Sequence, residues 1–170
     1  KLFDEIAFIK KLKGKAYKQL GSSGSGNHFV EWGLIDLRAD NALQLKAGRY
    51  IALLSHSGSR GLGANIAQYY FQQAMNVCKL PAQAKQLACL DLDSELGCEY
   101  WMAMTLAGEY AKACHDVIHQ NLSRATGFTP LLKVENHHNF AWKEMVDGRE
   151  LIVHRKGATP AKKSELGIIP

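Results

Sequence analysis

The sequence predicts an α+β fold, and three observations predict it. Helix-spaced apolar residues fill long stretches, most of all from Ser94 to about Arg124. Two apolar runs, His28–Leu37 and Arg49–Ser55, read as strands that each meet a glycine-serine loop. Further strand-like runs follow the long helix. Strands joined both by tight turns and by long helical insertions do not make a regular β-α-β alternation, so mixed sheets are expected.

Taken in order, Lys1 to Leu20 sets Leu2, Phe3, Ile6, Ile9 and Leu12 at helical spacing among lysines, and the run Gly21 to Gly26 ends it. After the two strands and Gly61-Leu-Gly63, the positions of Ile66, Tyr69, Tyr70 and Met75 predict a helix. Pro81 is placed to open a short one, since its fixed φ suits a first helical turn. Ser94 with Glu95 starts the longest helix. Beyond it a strand is expected from Leu131 toward Glu135, a tight turn at Asp147-Gly148, and a strand over Glu150–His154. The expected organisation is a single domain over residues 1–170, of a size that buries roughly two-thirds of its unfolded surface.

An apolar share of 46% with 22% charged residues is that of a globular chain, and no apolar run approaches the ~20 residues of a membrane helix. The opening Lys-Leu-Phe-Asp-Glu has neither an initiator Met nor a charged lead into an apolar stretch, so no signal peptide is expected. Cys78, Cys89, Cys98 and Cys114 are too sparse for a disulfide framework and show no CxxC spacing. A reducing, cytoplasmic setting is the expectation. A formal charge of +5 and a pI near 9.0 would favour a polyanionic partner, although many enzymes are as basic.

Chemistry concentrates in loops. Asn27-His28, Ser55-His56-Ser57 and His137-His138-Asn139 hold histidines in polar settings, and imidazole nitrogens from three strand ends could form a metal site with open positions. Taken singly, each histidine is better explained as a loop hydrogen-bonder. Around His28, Gly24 and Gly26 permit close backbone approach, while Asn27 and Glu31 offer an amide and a carboxylate to a nucleotide. No GxxxxGK[ST] phosphate loop is present. His56-Ser-Gly-Ser-Arg-Gly-Leu-Gly63 sets hydroxyls, glycines and the Arg60 guanidinium before a helix start, which suits a phosphate as well as a plain turn. His154-Arg-Lys-Gly-Ala-Thr159 gathers cations at a strand end, where Arg155 and Lys156 could meet an RNA phosphate or simply be solvated. His115 and His119 are four apart on the long helix, yet no HExxH glutamate follows, and an ordinary helix face is the preferred reading.

Together the segments 24–31, 56–63, 137–141 and 154–159, in that order, resemble the signature of RtcB-type RNA ligases. The resemblance runs from about residue 15 through Tyr100–Thr105 and Glu109–Ala113 to Gly167-Ile-Ile-Pro170. It implies an RtcB-like α+β fold, mixed sheets and helices around a metal centre, of which this chain is the central part, truncated at both ends. It implies His28, His56 and His138 as manganese ligands. Asn27, His28, Phe29, Val30, Glu31, His138 and Asn139 become GTP contacts, Arg60 and His137 catalytic groups near the reacting phosphates, and Arg155 and Lys156 RNA contacts. The implied cofactors are two Mn2+ ions and GTP. The implied partner is RNA with a 3′-phosphate or 2′,3′-cyclic phosphate end and a 5′-hydroxyl end, in tRNA splicing or RNA repair.

Two family features find no match here: an aspartate and a cysteine ligand ahead of the Asn-His motif, and a guanylated histidine in a later glycine-rich loop. No residue of this chain is therefore assigned as that nucleophile, and the 170 residues alone are not expected to ligate. Where many members carry Ala-Asn-Arg, this chain has Cys114-His115-Asp116. A metal-dependent phosphoesterase would use the same histidines and arginine, and an RNA-binding module that kept the fold without the chemistry is the non-enzymatic rival.

Overall fold

The computed structural model describes residues 2–163 and 165–168. The chain divides into two compact units, Lys1–Gly33 with Leu53–Thr126 and Leu34–Ala52 with Gly127–Pro170. Helices and small two-stranded sheets share the chain, as an α+β class requires.

The first unit is mainly helical, with α1 (Leu2–Glu5), α2 (Ala7–Gln19), α3 (Arg60–Val77) and α4 (Glu95–Thr126). The amino-terminal stretch expected as one helix is broken at Ile6, whose φ of −107° and ψ of 117° are extended. Ile6 is nevertheless buried, so the break turns its side chain into the core. Helix α2 packs on α3 and α3 on α4. The faces that meet follow the helical period: Leu62, Ile66, Tyr70 and Ala74 on α3, and Ala103, Leu106, Tyr110, Cys114 and Ile118 on α4. Small residues bring α3 and α4 close, since a Cβ on Gly63 would stand 3.7 Å from that of Ala107.

Ser94 caps α4 as expected: its Oγ accepts from the Gly97 N–H at 3.0 Å, satisfying one of the unpaired amides of a helix start. Pro81 precedes a 3-10 turn, Ala82–Leu87. Among the described residues no helix is long and apolar enough to cross a membrane.

Strands β1 (Phe29–Leu37) and β2 (Gly48–His56) pair as a ribbon that lends Phe29–Gly33 and Leu53–His56 to the first unit and the remainder to the second. The second unit is organised by an antiparallel hairpin, β3 (Asn139–Val146) and β4 (Arg149–Lys156), in register from Asn139↔Lys156 to Val146↔Arg149. Asp147 and Gly148 both take positive φ, 49° and 76°, the geometry that matches a two-residue turn to strand twist.

The strand expected from Leu131 to Glu135 does not form. The turn dictates the register, and counting back along the ladder begins pairing at Asn139. Leu131 and Leu132 are left exposed in irregular chain. The Ile169-Pro170 end of the expected resemblance lies outside the described residues.

Candidate functional site

In the first unit, the glycine-serine loop, the end of β2 and the start of α3 bring His28, His56 and Arg60 together. The His28 and His56 rings have centroids 5.9 Å apart, and Phe29 stacks on His56 at 5.5 Å and 15°. Gly24 closes the group. Its φ of +115° is one that L side chains rarely adopt, and a Cβ there would run into the Arg60 guanidinium and lie 2.5 Å from His28 Nδ1. Asn27 and Glu31 are exposed to either side of His28.

His28 Nδ1 is buried without a hydrogen-bond partner. A buried ring nitrogen left in this way carries a desolvation cost that a ligand would relieve. The donor chemistry fits a borderline divalent metal, for which neutral imidazole is a good ligand. Among the described residues, however, no three or more His, Cys, Asp or Glu side chains group as a metal site. His28 and His56 belong to the first unit, while His138 belongs to the second.

Arg60 is held in place rather than waving in solvent. It opens α3 with a positive φ of 53°, a strained state for a residue other than glycine, and its Nε donates to Ser22 Oγ at 3.0 Å. Ser22 in turn donates to the Gln19 carbonyl. Its charge also reaches Tyr110, whose phenol is pushed well above the ordinary tyrosine range by burial and then by Cys114, with Arg60 opposing.

A second convergence was not anticipated from the sequence. Ser55 Oγ lies 2.6 Å from His115 Nδ1 and 2.8 Å from His119 Nε2, and His115 Nε2 lies 3.3 Å from the Ser57 carbonyl. A carbonyl only accepts, so His115 Nε2 carries the hydrogen. In the neutral ring Nδ1 is then an acceptor, Ser55 donates to it, and the Ser55 oxygen accepts from His119 Nε2–H. Ser57 Oγ donates to the Ser23 carbonyl at 2.6 Å. The spacing of His115 and His119 was visible in the sequence; their common target was not.

In the second unit, His137 lies against Phe140 with ring centroids 5.5 Å apart, the His138 carbonyl accepts from Ala158 N–H at 3.1 Å, and Asn139 Oδ1 accepts from Gly157 N–H at 2.8 Å. The motif 137–139 is thereby laced to the basic motif at the end of β4. Asn136 secures the chain after it, donating to the Leu166 carbonyl and accepting from Ile168 N–H. Arg155 makes a two-pronged ion pair with Glu144, at 2.6 and 3.1 Å, and lies over the Trp142 ring at 5.0 Å. That guanidinium holds the Glu144 carboxyl below the usual carboxylate range. Lys156, opposite Asn139 in the ladder, is exposed.

The first unit thus sets a histidine pair, one ring nitrogen of it unsatisfied, beside a guanidinium anchored at a glycine loop. A family model described as tRNA-splicing ligase RtcB matches residues 4–170. The tRNA-splicing ligase RtcB of Methanococcus maripaludis is 35% identical over 170 residues, covering 88% of this chain and 35% of the relative. The RNA-splicing ligase RtcB of Mycobacterium tuberculosis is 37% identical over 156 residues, covering 83% and 36%. RNA-splicing ligase RtcB homolog 1 of Entamoeba dispar is 33% identical over 177 residues, covering 93% and 33%. The chain belongs to the RtcB family, and it spans only about a third of the length of these curated relatives.

Proposed function

We propose that this chain is the central part of a GTP- and manganese-dependent RNA ligase of the cytoplasm, joining a 3′-phosphate or 2′,3′-cyclic phosphate end to a 5′-hydroxyl end. The observation that carries the proposal is the grouping of His28 and His56 with Arg60 at a loop whose glycine leaves no room for a side chain. Membership of the RtcB family supports the reaction class.

In this reading His28, His56 and His138 hold metal. The stretch Asn27–Glu31, with His138 and Asn139, holds GTP. When bound, manganese would offset negative charge gathering on phosphate oxygens in each displacement. Arg60, fixed by Ser22, is placed to clamp a phosphate, and His137 serves near the reacting centre. Lys156 meets RNA phosphate; Arg155 does so only while keeping or exchanging its bond to Glu144. A histidine outside these 170 residues attacks the α-phosphate of GTP and releases pyrophosphate. The RNA 3′-phosphate, where needed formed from a 2′,3′-cyclic end by water breaking the bond to the 2′-oxygen, then takes the guanylate, and the 5′-hydroxyl displaces GMP to form the phosphodiester.

The test incubates the full-length product of the gene with α-phosphate-labelled GTP and Mn2+, beside His56→Ala and a chelator control. Covalent label lost in both controls is the expected result. A folded protein that takes no label, yet hydrolyses a model phosphodiester without GTP, would replace the ligase reading with a phosphoesterase. Salt-sensitive RNA binding without metal affinity would replace it with a binding module.

A further inference from the structure

We infer that His115 and His119 are positioning residues for His56, gripping the residues on either side of it, the Ser55 hydroxyl and the Ser57 carbonyl, from α4 rather than touching metal, nucleotide or RNA. The inference rests on the proposed role of His56 as a metal ligand.

His56 is the last residue of β2, where a strand end would otherwise fray. One imidazole spans its two neighbours: His115 Nδ1 meets the Ser55 hydroxyl at 2.6 Å and His115 Nε2 meets the Ser57 carbonyl at 3.3 Å. His119 adds a second hydrogen bond to Ser55 at 2.8 Å, and Ser57 is tied onward to Ser23. Successive strand side chains point to opposite faces, so the grip on Ser55 takes the face away from the His56 ring. The ring stays open to His28 and Phe29.

The helix that supplies this brace is packed into its unit, with Cys114 and Ile118 buried on either side of His115 in sequence. The two histidines are not themselves arranged as a zinc pair. Their nitrogens converge instead on one hydroxyl oxygen, and among the described residues no third His, Cys, Asp or Glu joins them as a metal site. A partner that fixes the orientation of a metal ligand is worth about 10- to 100-fold in metal affinity.

The experiment uses the full-length gene product stripped of metal. Mn2+ binding is read from the loss of the free-ion EPR signal, and folding from circular dichroism and the thermal midpoint. His115→Ala, His119→Ala and Ser55→Ala are each expected to weaken Mn2+ binding by about 10-fold or more. His119→Gln, whose amide can still donate to Ser55 from the Nε2 position, should stay within about threefold of the parent.

Normal Mn2+ affinity in the three folded alanine variants, with affinity lost in His56→Ala, would overturn the brace and leave the metal reading standing. Normal affinity in His56→Ala as well would remove the metal reading and the brace with it. If a histidine variant fails to fold, Ser55→Ala alone decides by the same reading, because it removes one hydroxyl and no bulk from the helix. His119→Gln binding as weakly as His119→Ala would refute the donated hydrogen bond as the cause.

Discussion

The hydroxyl of Tyr110 donates a 2.6 Å hydrogen bond to the backbone carbonyl of Ala16, fastening α4 to α2 across 94 residues of sequence. Tyr110 is buried and Ala16 nearly wholly so. The bond sits in the interior that carries α3 and, at its start, Arg60. Tyr110→Phe keeps the ring and removes only the donor. The expected loss is about 1 to 1.5 kcal/mol, seen as a lower urea midpoint at unchanged slope.

Alkaline stability should follow from Tyr110 and Tyr70 together. Burial is the first cause raising each phenol, with Glu99 adding to it at Tyr70 and Cys114 at Tyr110. A folded value above the unfolded value of about 10 gives stability that is present below that pH and lost as pH rises through the folded value. Urea midpoints should fall above about pH 10, and the double Phe variant should show a flatter decline. A decline as steep in the double variant would assign it to other groups.

The hairpin of the second unit carries the opposite dependence. Arg155, first through its hydrogen bond, holds Glu144 below the carboxylate range. Its contribution is therefore present above the unfolded value and lost as pH falls through the folded one. Protection factors of β3 amides, corrected for the intrinsic rate at each pH, should fall in acid, and Glu144→Gln should remove much of that acid limb while weakening protection at neutral pH.

Two glycines of the glycine-serine loop separate collision from backbone strain. Gly24→Ala meets Arg60 and His28, while Gly26→Ala, at φ +78°, meets nothing within 4 Å. Both should lose about 1 kcal/mol of stability to the left-handed backbone. Only Gly24→Ala should also lower Mn2+ affinity, read by the same EPR titration. Equal affinity in the two variants would show that the His28–Arg60 side of the loop yields freely.

A second glycine pair tests helix packing. A Cβ on Gly97 would strike the Asp91 carbonyl and come within 2.9 Å of Leu92 Cα, both backbone atoms with little freedom to retreat. Gly97→Ala is expected to lower stability by about 1–3 kcal/mol. Gly14→Ala, on α2 with nothing within 4 Å, should raise it by about 0.5–1 kcal/mol. Thermal midpoints moving in opposite directions check both.

Much of this was legible in one dimension because the signals are local. The start of α4 at Ser94 is written in a side chain that caps its own helix, and the turn at Asp147-Gly148 in residues that tolerate positive φ. The motifs around His28 and His56 could be picked out by residue type, but that the two rings meet follows from the pairing of β1 with β2. Leu131 misled because an apolar run resembles a strand whether or not a partner strand reaches it.

By itself the sequence determined the α+β class and the apolar stripes of the helices, and it named candidates for holding a metal or a phosphate, for each depends on residue type and near spacing. Tertiary structure alone decided that His115 and His119 would meet Ser55 from 60 and 64 residues away, that Arg155 would close on Glu144, and that His28 Nδ1 would be buried without a partner. The physical reason is common to all three. A side chain's hydrogen-bond partner depends on how one packed element is rotated against the next, and that rotation is set by the summed packing of many distant residues.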